Sequence, residues 1–395
     1  MKRVFILCAL FTSLASCFSQ NTWAPLNSGT NRNLKDLCFP GDLIGYVVGE
    51  KGAILKTSNA GQTWISQFSD STVDFISVHF PSPNIGYAIS GNKVYGTKNG
   101  GNLWHLIYTD SLPYFNTVRF VNDSVGFIGT VFYILKTSDY GQHWSIVETP
   151  GNSINSISFP SPSVGYFAGG PDFQGKIYKT TNLGQSFTSY TLGMQSIKER
   201  IYFINDSVGY ITGWYGSAMA KTTDGGEHWT TINPANDPQG WDVYFSDESN
   251  GLYVNNTGGL SRIFSSADGG MNWTLDISLP NYSVRKFVFT SLQKGFAVGN
   301  NGSIYSTQLL SGLTEEDLSL TTIVYPNPTN NNIVISCAKP AKFILFNELG
   351  QIAKQFKSEN TGPVEMSLND LTPGVYFLKN ESDRKHTTHK IVVSK

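Results

Sequence analysis

The stretch Thr57-Ser-Asn59-Ala-Gly61-Gln-Thr-Trp64 decides the fold, because it returns five more times at nearly constant spacing. The copies are Thr97-Lys-Asn99-Gly-Gly101-Asn-Leu-Trp104, Thr137-Ser-Asp139-Tyr-Gly141-Gln-His-Trp144, Thr180-Thr-Asn182-Leu-Gly184-Gln-Ser-Phe187, Thr222-Thr-Asp224-Gly-Gly226-Glu-His-Trp229 and Ser266-Ala-Asp268-Gly-Gly270-Met-Asn-Trp273. Steps of 40, 40, 43, 42 and 44 residues separate them. A fixed period of this size marks a repeat architecture. Within each copy the Asn or Asp side chain can accept backbone N–H groups ahead of it, Gly supplies positive φ, and the aromatic ring fills a core. The Asn or Asp is therefore read as a turn brace, not as a metal ligand or catalytic acid.

A second series runs in step with the first: Gly45-Tyr46, Gly86-Tyr87, Gly126-Phe127, Gly165-Tyr166, Gly209-Tyr210, Gly251-Leu252 and Gly295-Phe296. Each follows a short alternating run that ends in Phe, such as Asp36-Leu-Cys-Phe39 or Ser77-Val-His-Phe80. Period-two alternation is the mark of a half-buried strand. One period thus contains strand a (the alternating run), strand b (Gly-Tyr), strand c, the turn, and strand d after the Trp. Four strands make one blade of a propeller. The seventh unit stops after strand c, and Asn21-Thr-Trp23-Ala-Pro-Leu26 resembles a strand d with its leading Trp. The expectation is an all-β, seven-bladed β-propeller over 21–308, closed by its own N-terminal strand.

The pattern [ST]-x-[DN]-x-G-x-x-[WF] resembles the Asp-box, or BNR repeat, of sialidases, sortilin-type receptors and photosystem II assembly propellers, over roughly Trp23 to Thr307. The resemblance implies the fold and says little about function.

Composition agrees with an all-β chain: charged residues make up 14% of the 395, and aromatics 13%. Net charge is −1 with Lys and Arg scattered, so a nucleic-acid partner is not expected. Residues 1–20 carry Lys2, Arg3 and an apolar run from Val4 to Leu14, the layout of an export signal. Leu14-Ala-Ser-Cys17 also satisfies a lipoprotein box, so cleavage near Ser19 or Gln20 and lipidation at Cys17 both stand. No run reaches the roughly 20 apolar residues of a membrane helix. Cys38 and Cys337 lack local partners and read as free thiols.

After a linker at 309–320 the pattern changes. Val324-Tyr-Pro-Asn-Pro328, Leu371-Thr-Pro-Gly-Val-Tyr-Phe-Leu378 and Lys390-Ile-Val-Val-Ser-Lys395 occur in order. Residues 321–395 resemble the type A sorting domain of type IX secretion cargo. That resemblance implies a small immunoglobulin-like sandwich, engagement of the type IX machinery, and release or attachment at the outer-membrane surface after periplasmic transit.

No catalytic set emerges, and neither cofactor nor metal is expected. Arg119, Arg200 and Arg285 lie on strand a runs, but a sialidase's Phe/Tyr-Arg-Ile-Pro motif is missing, and Arg119 is read as standing in the opposite register from Arg200. Asp36 and Asp242 are the strand a carboxylates that a glycoside hydrolase would use as an acid and base pair. The candidate ligand-binding residues are Asp36, Arg200, Asp242 and Lys286 facing a central channel, with Trp214, Tyr215 and Trp241 as aromatics outside the box series. The expected function is a monomeric, non-catalytic propeller binding a glycan or surface protein. Alternatives are a secreted, sialidase-like glycoside hydrolase and an assembly factor for another exported protein.

Overall fold

A computed structural model describes residues 23–111, 114–149, 153–169, 175–192, 197–214, 219–232, 240–280, 284–290, 294–307, 323–325, 332–337, 341–347, 350–358, 362–380 and 388–393. The export signal at 1–20, Cys17, Tyr215 and the linker lie outside these residues, as does the side chain of Trp214. The described chain is all-β, with one 3₁₀ turn at Asn300–Gly302. Among the described residues no helix is long and apolar enough to cross a membrane.

Between Trp23 and Thr307 the strands form seven four-stranded antiparallel sheets, the blades of a β-propeller. Blade one is Leu34–Cys38, Gly45–Gly49, Ala53–Thr57 and Ile65–Ser66, strands a to d from the axis outward. The inner strands of the others are Ser77–His79, Phe115–Phe120, Ser156–Ser158, Ile197–Phe203, Gly240–Phe245 and Lys286–Phe289. Each inner strand packs on the next, and Lys286–Phe289 packs on Leu34–Cys38 to close the circle. The first strand, Trp23–Leu26, pairs with Ile304–Thr307 as the outer strand of blade seven, with Trp23 opposite Thr307.

An aromatic relay joins the blades. Tyr46 of blade one stacks on Phe80 of blade two, with centroids 3.6 Å apart and planes 6° apart. Phe80 then meets its own blade's Trp104 edge-on at 5.7 Å. Tyr87 on Phe120, Tyr166 on Phe203 and Tyr210 on Phe245 repeat the stack at 3.6, 3.5 and 3.7 Å. The glycine before each strand b aromatic makes room for the Phe of its own blade. A Cβ at Gly86 would lie 2.3 Å from the Phe80 ring. Lysines tie the outer side in the same sense. Lys56, Lys136, Lys179 and Lys221 each donate to a box carbonyl of the following blade, at Gly100, Leu183, Gly225 and Gly269, over 2.6, 2.6, 2.8 and 3.0 Å. Lys294 donates to Ala60 at 2.9 Å across the closure. Burial of such an ammonium among aromatic rings lowers the pKa of Lys56 and of Lys294.

The repeated turns are braced from within. Thr57 Oγ1 accepts the Gly61 N–H at 2.9 Å, and Asn59 Oδ1 accepts the Thr63 N–H at 2.9 Å. Asn99, Asp139, Asn182, Asp224 and Asp268 accept the equivalent N–H at 2.9 to 3.0 Å. Trp64, Trp104, Trp144, Trp229 and Trp273 each turn an edge to the strand a Phe of their own blade. Phe187 stands edge-on instead to Phe167 of strand b at 5.4 Å.

The C-terminal strands form two sheets. Ile323–Tyr325, Asn332–Cys337 and Gly362–Ser367 make one; Ile352–Lys357, Lys342–Asn347, Gly374–Asn380 and Thr388–Val393 make the other. They share one core, in which Ile333, Ile335, Phe343, Leu345, Leu378 and Ile391 are buried. Asn347 and Gly350 bracket a turn, with Gly350 at φ 76° and its N–H donating to the Asn347 carbonyl at 3.0 Å.

Two outcomes follow. Trp23 is 6% exposed and edge-on to Phe289 at 6.3 Å, so Trp23→Ala is expected to cost about 3 to 5 kcal/mol in urea unfolding of the full chain. An unchanged midpoint would show that closure does not rest on this strand. Acid exposes the second. The N–H of His143 holds the Asp139 carboxyl down at about 2, and that of His228 lowers Asp224 likewise. Stability supplied by these carboxylates is complete above their ordinary pKa near 3.8 and is lost as pH falls towards 2. Changing both to Asn, the residue three other boxes carry, flattens the stability slope between roughly pH 4 and 2; Trp fluorescence during acid titration reports it, and equal slopes contradict it.

Candidate functional site

The inner strand of each blade has a hydrogen-bonded neighbour on one side only, so its free edge presents backbone N–H groups to the preceding blade. Left unmet in a buried wall, each would cost about 1 to 3 kcal/mol. Side chains of the preceding blade meet several of them. Asp36 Oδ2 accepts the Val78 N–H at 2.9 Å, Ser77 Oγ that of Val118 at 3.4 Å, and Ser156 Oγ that of Ile201 at 3.1 Å. Asp242 Oδ2 accepts the Phe287 N–H at 3.0 Å. Two residues further along the same strands lies a second tier. His79 Nδ1 accepts the Phe120 N–H at 3.2 Å, Ser158 Oγ that of Phe203 at 3.1 Å, and Cys38 Sγ that of Phe80 at 3.4 Å.

Where the first-tier residue is a cation it cannot accept, and the next blade's aspartate makes the link. Lys286 of blade seven ion-pairs with Asp36 of blade one. Arg200 Nε of blade five lies 3.0 Å from Asp242 Oδ1 of blade six, although its N–H does not point squarely along that line. Both carboxylates are engaged on every side. Asp36 also accepts Ser77 Oγ–H at 2.7 Å and the Leu37 N–H at 2.8 Å; Asp242 also accepts the Val243 N–H at 3.0 Å. Burial raises the Asp242 pKa against the pull of Arg200 and Lys286, and burial lowers that of Lys286.

These strands enclose a cavity of about 410 Å³ on the axis, lined by Asp36, Cys38, Ser77, His79, Thr117, Arg119, Ser158, Arg200, Tyr202, Tyr244 and Lys286 among others. Of the sequence candidates, Asp36, Arg200 and Lys286 reach this lining, while Asp242 stands behind it, 2% exposed. Trp241 does not join them. It packs in the blade six and seven cluster with the Arg285 guanidinium 5.5 Å over its ring. The reading of Arg119 is corrected as well. It is two residues along the strand from the Arg200 position, and period-two pleating returns such side chains to the same face, so both line the cavity. Arg285 points away and donates to Asn300 Oδ1 at 2.8 Å. The signal for the second tier was available in the same alternation, at the residue just before each closing aromatic.

A second cavity of about 330 Å³ opens on the rim between blades two and three, lined by Tyr87, Gly96, Ile107 and Tyr140 among others. Gly96 stands there where blades one, three, four and five place a stapling lysine. No group of three or more His, Cys, Asp or Glu able to hold a metal occurs among the described residues.

Residues 323–394 match the family of secretion-system C-terminal sorting domains. The tail is an export sorting domain. It directs the chain through the type IX route to the outer-membrane surface or the medium, and engages the secretion machinery to do so. The propeller is similar in fold to YCF48 solved bound to a D1 peptide, at 22% identity and TM-score 0.61 over 73% of this chain and 97% of that one. It is also similar to YCF48 of Cyanidioschyzon merolae, at 19% identity and TM-score 0.63 over 72% and 98%. The GH74 enzyme of Niastella koreensis matches 95% of this chain and 75% of its own at 14% identity and TM-score 0.62. No curated protein matches the chain by sequence.

Because Asp242 is buried against Arg200, Arg200→Met leaves an uncompensated carboxylate and is expected to lower stability by about 3 kcal/mol. Adding Asp242→Asn recovers much of the loss. Urea midpoints of the two variants decide it: a single variant as stable as the parent removes the pair from the account.

Proposed function

We propose that the exported ring is a non-catalytic binding module that holds a macromolecule, protein or glycan, at the mouth of its axial cavity. The observation that carries this reading is the engagement of both inner-strand carboxylates. A glycosidase needs one carboxyl free to give a proton and a second free to attack or activate water, roughly 5 to 9.5 Å apart. Asp36 and Asp242 instead hold neighbouring blades together through three and two contacts respectively. The peptide complex formed by YCF48 supports a binding role for this architecture, and the GH74 likeness is the reason to assay hydrolysis beside it. If the bound macromolecule is another exported protein, the module acts as an assembly factor.

The full mature chain is therefore expected to retain a ligand from a screen of glycans and cell-surface proteins, and to hydrolyse none of the glycans it meets. Asp36→Asn and Asp242→Asn should lower the unfolding midpoint and leave the binding profile in place. Turnover of any glycan that vanishes in either variant while the ring stays folded would sink the reading.

A further inference from the structure

The first tier of the cavity is electrically satisfied, and the second is not. Lys286 is paired with Asp36 and Arg200 with Asp242. That leaves Arg119, which lines the same cavity, is exposed to it, and has neither an ion pair nor a side-chain hydrogen bond among the described residues. Partial removal from water lowers its pKa, and the positive field of Arg200 adds to this. The cavity thus gathers three cations against two carboxylates that are already taken.

A neighbouring group is a donor as well. His79 is 8% exposed, and burial together with Arg119 and Lys286 holds its pKa well below 6.5, so the imidazole is neutral. Its Nδ1 is occupied by the Phe120 N–H, which leaves the remaining proton on Nε2 of a residue that lines the cavity. The Tyr202 hydroxyl donates to the Phe245 carbonyl at 2.9 Å and is not available as an acceptor's partner. Ser77, Ser158 and Cys38 each already accept one N–H group.

We infer that this second tier, with Arg119 as its centre and His79 and Arg200 beside it, is a site for a single carboxylate presented by a peptide. The inference rests on the binding role proposed above. A carboxylate only accepts hydrogen bonds, and Arg meets it with a planar fork of donors. A neutral sugar leaves the charge of Arg119 unanswered, which a carboxylate answers. That contrast selects an acidic peptide over a neutral oligosaccharide. A volume of about 410 Å³ admits one side chain or one chain end, not a folded surface.

The test uses the full mature chain and a library of short peptides with free C-termini. Each is also presented with an amidated terminus, and with Asp and Glu changed to Asn and Gln. An oligosaccharide rich in uronic acid is run alongside. Binding is expected only where a carboxylate is present, and Arg119→Met should weaken it at least tenfold. That variant removes the charge while its stem remains, and Arg119 joins no blade to another, so the unfolding midpoint should not move. The second variant, His79→Gln, keeps a donor and should weaken binding less than Arg119→Met does. Equal binding of amidated and neutralised peptides, undiminished binding by the Arg119 variant, preference for the uronic acid oligosaccharide, or no peptide binding would each overturn the inference. A glycan or protein bound with Arg119 irrelevant leaves the broader binding role standing; loss of every ligand removes both.

Discussion

A strand with a partner on one side only has to dispose of the N–H groups along its other edge, and that requirement organises the whole ring. In this propeller seven such edges converge on one axis, out of reach of any further strand. Side chains from the neighbouring blade take the place of a strand. Asp36, Ser77, His79, Ser156, Ser158 and Asp242 all act in this way. A charged acceptor makes the stronger bond, about 1.5 to 3 kcal/mol against about 1 for a neutral one. Its cost is desolvation, which Arg200 and Lys286 offset by standing beside the two aspartates.

Further from the axis the same directionality recurs in other chemistry. The strand b aromatic of one blade lies flat on the strand a Phe of the next, and the lysine of strand c reaches over that ring to the next turn's carbonyl. Three layers of contact therefore run the same way around the circle. Such a chain of nearest-neighbour contacts is only as sound as its last link. Trp23 supplies that link, since without its strand blade seven would offer an open edge. The rim cavity beside Gly96 marks one place where the lysine layer is interrupted, and Ser265 of blade six marks another.

Function is confined by the same logic. Groups that join blades are spent, and what remains for a ligand is whatever the joints leave over. Asp36 and Asp242, the residues that suggest acid and base chemistry in the sequence, belong to the joints. Arg119, which looked isolated, is the group left over. The sorting tail has a core of its own, shared by two sheets, and it determines where the chain is sent.

The boxes, the Gly-Tyr series and the sorting motifs were legible in the sequence because each is local. A turn needs an acceptor, a glycine and an aromatic within eight residues, and a strand shows its buried face by alternation. The glycines of strand b were legible as a pattern, though their cause, a Phe ring filling the space of a side chain, was not. Partners separated by about 41 to 45 residues, or by 250 in the case of Lys286 and Asp36, cannot be read from spacing. Only the closed ring decided that Asp36 meets Lys286, that Trp241 turns into the core, and that Arg119 shares a cavity with Arg200, because each depends on which blade comes to rest against which.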